Sequence, residues 1–187
     1  MSLHPPAITC GDWLLRPIVD ADVHAVHAGL SDPRVIAHYG VSYPTLESTW
    51  VQMRWFTDIA AEGSGAWWAV CAASAPARLI GACGMNDLVA EHRRAEIGYW
   101  LRPEWWGKGI MRQCLSAMLE HAFERMGLHR LGAEVDVGND ASSGLLLRLG
   151  FTHEGTRRGY EQKAGRALDL QFYGLLSSDP RPWQTDR

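Results

Sequence analysis

The chain has 187 residues, 47% of them hydrophobic and 21% charged, with a formal net charge of −3 at pH 7. That length supports one well-buried domain, and the composition excludes a disordered tail, a collagen-like repeat and a coiled coil. The negative balance gives no long-range attraction for nucleic acid or an anionic membrane, and charges break every apolar window well short of the ~18 residues a spanning helix needs. Cys10, Cys71, Cys83 and Cys114 show neither CxxC nor metal-ligand spacing, so no metal is expected and the thiols read as reduced core residues. Met1–Cys10 is short and polar and holds Pro5-Pro6, which is not a signal peptide; a cytoplasmic location is the default.

In chain order, Trp13–Pro17 predicts a first strand, and Asp20 a cap for a helix carrying Val23, Val26 and Leu30 at helical spacing. Asp32-Pro33 breaks it, and Val35–Tyr39 gives a short turn or helical piece. Pro44 and Thr45 open a second helix through about Ala61, stopped by Gly63. Ala66–Ala73, Arg78–Leu88 and Ala95–Leu101 are apolar runs linked by turns, the pattern of an antiparallel meander. Beyond Pro103 comes the clearest helix: apolar residues recur every three to four positions from Ile110 to Met126, and Gly127 closes it. Leu131–Val137 predicts a strand and Asp140–Leu149 a short helix. Phe151–Gln162 and Leu168–Leu176 close the chain as a pair of strands around Lys163–Arg166.

Strand, helix, strand, helix in the middle implies parallel pairing there inside an otherwise antiparallel sheet. The expected class is therefore α/β (or α+β), a mixed central sheet flanked by helices, in one domain over 11–176 with short terminal extensions at 1–10 and 177–187. No linker or repeat divides it. The nine tryptophans suit core packing or the lining of an apolar groove.

The segment Glu96–Met111, EIGYWLRPEWWGKGIM, places a strand, a Gly107-Lys108-Gly109 turn and a helix start in succession. Glycines let consecutive backbone N–H groups converge, and a helix N-terminus adds unsatisfied donors and its dipole. Such a turn suits a diphosphate, with Lys108 adding charge at the rim. It is neither a Walker loop, since Gly109 follows Lys108, nor a dinucleotide fingerprint, since Arg112 stands where the third glycine belongs.

Together with LHRLGAEV (Leu128–Val135) and NDASSGLLLRLGF (Asn139–Phe151), this segment resembles the GNAT superfamily of acetyl-CoA-dependent N-acyltransferases. Within it the chain looks most like the RimJ/RimL-type ribosomal-protein N-terminal amine acetyltransferases, a likeness extended by Leu14–Val23, Glu154-Gly155 and Asp169. The resemblance implies acetyl-CoA as cofactor and a primary amine as acceptor, either a peptide N-terminus or a small amine or antibiotic. The amides of Trp106, Gly107, Lys108, Gly109, Ile110 and Met111 would hold the diphosphate. The strand end at Trp100, Leu101 and Arg102 would face the pantetheine arm, with the Leu101 N–H aimed at the thioester carbonyl. Asn139 would bond that arm, or cap the following helix, or both.

Glu96 is the expected base, alone or through water, and Ser142 the donor to the leaving sulfur. His38, Tyr39, Trp50, Trp68 and Asn86 are the expected acceptor contacts. The chain departs from the family at Glu104, where Gln or Arg is usual, at Gln113-Cys114 in place of Glu-Ala, and at Leu146, where many relatives carry a tyrosine that protonates the thiolate. That last loss leaves a non-catalytic acyl-CoA sensor as a further reading. A homodimer is common among similar proteins.

Overall fold

The structure is a computed structural model that describes residues 3–163 and 165–185. A hairpin of β1 (Ile8–Cys10) and β2 (Trp13–Pro17) leads into α1 (Val23–Leu30), α2 (Pro33–Ile36) and α3 (Leu46–Glu62). The meander β3 (Ala66–Ala72), β4 (Ala75–Val89) and β5 (Arg94–Leu101) follows. Then come α4 (Ile110–Glu124), β6 (Arg130–Asp136), α5 (Asp140–Arg148), the hairpin β7 (Thr152–Lys163) and β8 (Arg166–Leu176), and α6 (Pro182–Thr185). All strands join one sheet in the order β1-β2-β3-β4-β5-β6-β8-β7. Among the described strands only β5 and β6 run parallel, as the strand–helix–strand order requires.

Side-chain alternation along the strands builds two cores, one on each face. In β3, Trp68 and Val70 meet the apolar face of α4 (Ile110, Cys114, Leu115, Met118), while Trp67, Ala69 and Cys71 meet α1 and α3. Helix α3 begins as expected, with Thr45 accepting from the Ser48 N–H and left-handed Gly63 ending it.

Several local expectations shift. Asp20 does not cap α1; it opens a 3₁₀ turn, and Asp22 is the structural residue. Buried Asp22 takes two hydrogen bonds from Arg16 (2.7 and 2.8 Å) and one from the Val19 N–H. An acidic group so enclosed stays only because charged and backbone donors surround it. The short helical piece lies at Pro33–Ile36, capped by Asp32, rather than at Val35–Tyr39. Strand β4 starts at Ala75, earlier than expected. Near the termini, β1 pairs with β2 and Trp183 is buried against α4, its indole N–H donating to Glu120.

Candidate functional site

The site is set by where two parallel strands separate. Pairing between β5 and β6 is confined to Arg94–Glu96 opposite Arg130–Gly132. Beyond it, β5 stays paired with β4 to Leu101 and β6 with β8 to Asp136. The two strands therefore diverge while each keeps its outer partner.

Hydrogen-bond alternation fixes which backbone groups face the gap. The Arg102 N–H donates to the Ile80 carbonyl (2.9 Å), so the bonded pairs of β4–β5 involve even-numbered residues of β5, and the N–H groups of Tyr99 and Leu101 turn toward β6. By the same reasoning the Val137 N–H bond to Asp169 turns the backbone of Glu134 and Asp136 toward β5. The cleft between them measures about 1180 Å³ and continues from the α2 loop to the start of α4.

At one end of the cleft, Gly107 and Gly109 take positive φ (72° and 73°), and Gly109 is the N-cap of α4 with no side-chain cap. Within helix geometry the Ile110 and Met111 amides have no carbonyl four residues back. A turn of two left-handed glycines opening onto an uncapped helix start fits an anionic group. Lys108 is held over the Trp105 ring, 4.8 Å from its centre. The Trp106 indole N–H donates to the Leu101 carbonyl (2.6 Å), tying the loop to the strand end.

The structure changes part of what was expected at this end. The Trp106 amide is engaged by the Pro103 carbonyl (3.1 Å), so the amides left for a ligand begin at Gly107. Arg102 faces away from the cleft: its N–H is held by Ile80 and its guanidinium by Glu104 (2.8 Å). Glu104 is accordingly occupied by Arg102. Trp100 and Leu101 do line the cleft, but the Trp100 backbone is paired with Ala82 of β4 and its indole packs beneath Gly29 of α1, so of Trp100, Leu101 and Arg102 only Leu101 turns its N–H to the gap.

At the start of α5, Asn139 is the N-cap, its side-chain oxygen accepting from the Ser142 N–H (3.3 Å). The Ser142 hydroxyl lies 2.7 Å from the Tyr99 hydroxyl, and all three residues line the cleft. Tyr99 was not among the residues the sequence marked; inside an apolar strand it reads as core. Burial pushes its phenol up to about 12.

Glu96 lies where the strands begin to part, its carboxylate against Gly132 of β6. Burial, and then repulsion from Glu134, push it up to about 7; Arg130 and Arg94 act in the opposite sense. The Arg94 contact is loose, at 4.0 Å. Alternation places Glu134 and Asp136 on the same sheet face, and both line the cleft. There His38 Nδ1 stands 3.5 Å from Asp136.

Of the expected acceptor contacts, His38 and Tyr39 line the cleft. Trp68 does not: it is fully buried on the α4 face, its indole N–H donating to Pro6. Strand alternation is the reason, since its neighbour Trp67 takes the other face. Trp50 packs half-buried against the α1–α3 core, outside the cleft lining. Asn86 pairs in register with Glu96, but its amide donates to Asp87 (2.6 Å). The sequence also passed over Lys163, whose ammonium crosses from the β7 end to three carbonyls of the α2 loop.

The chain matches the family model described as acetyltransferase (GNAT) domain over residues 13–152. It is 33% identical over 172 residues to the uncharacterized N-acetyltransferase YoaA of Bacillus subtilis, covering 91% of this chain and 97% of that one. It is 31% identical to an L-methionine sulfoximine/L-methionine sulfone acetyltransferase of Pseudomonas aeruginosa, over 82% of this chain and 93% of the relative. A solved structure of RimL, described as a ribosomal L7/L12 alpha-N-protein acetyltransferase in complex with coenzyme A, superposes with a TM-score of 0.82. That likeness is at 24% identity, covers 91% of this chain and 97% of the other, and carries the fold alone. These relatives do not single out the RimJ/RimL branch.

Proposed function

The chain belongs to the GNAT acetyltransferase family, with acetyl-CoA-dependent transfer to an amine as its chemistry, and on that premise we propose that its acceptor is the α-amine of a peptide or protein N-terminus. The parting of β5 and β6 in front of an uncapped helix start supports the cofactor half of this reading; the peptide half rests on the resemblance of the Glu96–Met111 and Asn139–Phe151 motifs to the RimJ/RimL type. The cleft that this parting opens is lined both by Gly107–Met111, whose amides would suit a diphosphate, and by the carboxylates of Glu134 and Asp136.

Acetyl-CoA, when bound, would supply an acetyl group activated as a thioester. Gly107, Lys108, Gly109, Ile110 and Met111 offer backbone donors for its diphosphate, and Asn139 and the β5 edge offer polar groups for its arm. An amine attacks only as the free base. Glu96 takes the proton, directly or through water, at a pKa matched to neutral pH. The Leu101 N–H donates to the carbonyl oxygen as charge develops there. As the C–N bond forms and the C–S bond breaks, Ser142 would donate a hydrogen bond to the sulfur, which would keep the bonding pair and take its proton from solvent. Glu96, having passed its first proton to solvent, would then take the excess proton left on nitrogen.

His38 and Tyr39 are the acceptor-side contacts this reading keeps. A small amine of the amino-acid kind is the second reading, favoured by the methionine sulfoximine acetyltransferase relative. One screen separates them. N-terminal peptides, methionine sulfoximine, polyamines and aminoglycosides are offered with acetyl-CoA, and thiol release is measured. Turnover greatest with peptides is the expected result, and turnover confined to free amino-acid analogues overturns it. Tight acetyl-CoA binding without thiol release for any amine would return the chain to a sensor role.

A further inference from the structure

We propose that Tyr99 is a positioning residue for the transfer, fixing the Ser142 hydroxyl so that its hydrogen is presented to the departing sulfur. The inference rests on the acetyl-transfer reading above and adds to it a group from the facing strand. Ser142 is held at two points. Its backbone N–H is bonded to the capping Asn139, and its hydroxyl to the Tyr99 hydroxyl at 2.7 Å. Among the described residues the Ser142 hydroxyl has no other hydrogen-bond partner.

The direction of that bond follows from acidity. A phenol is a stronger acid than an alkyl alcohol and the better donor, and burial keeps this one protonated throughout the neutral range. Tyr99 therefore donates and Ser142 accepts. The serine hydrogen is then free to point elsewhere, and both residues line the cleft. Without the phenol, the serine hydroxyl can rotate and spend its hydrogen on a nearby carbonyl, as serines near helix starts commonly do. Leu146, buried in the core one turn further along α5, has no hydroxyl to contribute.

Tyr99→Phe removes only the oxygen and leaves the ring packed. The readout is the thiol pKa of bound coenzyme A, followed by thiolate absorbance, which needs no acceptor and no turnover. It should rise by roughly half to one unit in Tyr99→Phe and in Ser142→Ala, and no further in the double variant. A fluorinated tyrosine at position 99, a stronger donor in the same place, should lower it. With an accepted amine, kcat should fall about three- to tenfold in Tyr99→Phe with KM for acetyl-CoA unchanged. An identical thiol pKa in wild type and Tyr99→Phe overturns the role of Tyr99 while leaving the acetyl-transfer reading intact. Failure of coenzyme A to bind the wild-type chain overturns both.

Discussion

Glu96 shows how one side chain couples stability to reactivity. Its carboxylate lies against Gly132 and shares a sheet face with Glu134, and the cost of ionising it there lifts it to about 7. A group whose native pKa exceeds its unfolded value binds more protons in the folded state. Stability is therefore full below about 4.5 and declines as pH rises through 7. Catalysis runs the other way, because the base works only when ionised. The rate should climb to about pH 7 and then level, and Glu96→Gln should erase that limb. The same variant should gain stability over wild type between pH 5 and pH 8, by about 1 kcal/mol once partial exposure is discounted. Melting curves at both pH values check this; an offset that does not change with pH would show that the carboxylate carries no burden.

Among the elements, the β5–α4 junction was the most legible in sequence, because its requirements are local. Two glycines, a proline and a helical repeat each specify backbone geometry within a few residues. Gly107 and Gly109 do adopt the left-handed conformation, and a Cβ on either would meet nothing within 4 Å, so only the dihedral calls for glycine. Gly107→Ala and Gly109→Ala should each strain the turn by about 1 kcal/mol and weaken acetyl-CoA binding by roughly five- to tenfold. Asparagine, which tolerates this conformation, should recover part of the loss. Calorimetry with acetyl-CoA decides; alanine variants that bind like wild type would remove these amides from the site.

Tyr99 was passed over and Trp68 misplaced for the opposite reason. Whether an aromatic side chain in an apolar strand faces a cleft or a core depends on which strand pairs with it, and on which helix covers that face. Asp20 and Asp22 are two residues apart in a stretch read for helix capping, and only the fold brings Arg16 to the second of them. The parallel pairing of β5 with β6 could be inferred from connectivity; the point where it stops could not.

At the scale of the whole molecule, the acceptor side of the cleft depends on segments far apart in the chain. Lys163, at the end of β7, donates to the carbonyls of Ile36 (2.8 Å), Ala37 (3.0 Å) and Tyr39 (3.0 Å). One ammonium thereby uses its three hydrogens on the loop that carries His38 and Tyr39. On the opposite side His38 approaches Asp136 of β6. The α2 loop is thus suspended between the closing hairpin and the central sheet, while the turn at Gly107–Gly109 is anchored separately through Trp106 and Leu101. The two mouths of the cleft should then be separable by mutation. Lys163→Met keeps the length and apolar stem of the side chain and removes the donors. It should raise KM for the accepted amine several-fold and leave the acetyl-CoA dissociation constant unchanged. Amide exchange in residues 37–40 should speed up in parallel, since the loop loses its fastening. Equal losses in amine and cofactor affinity would mean that Lys163 supports the fold as a whole, and that the α2 loop has no separate part in holding the acceptor.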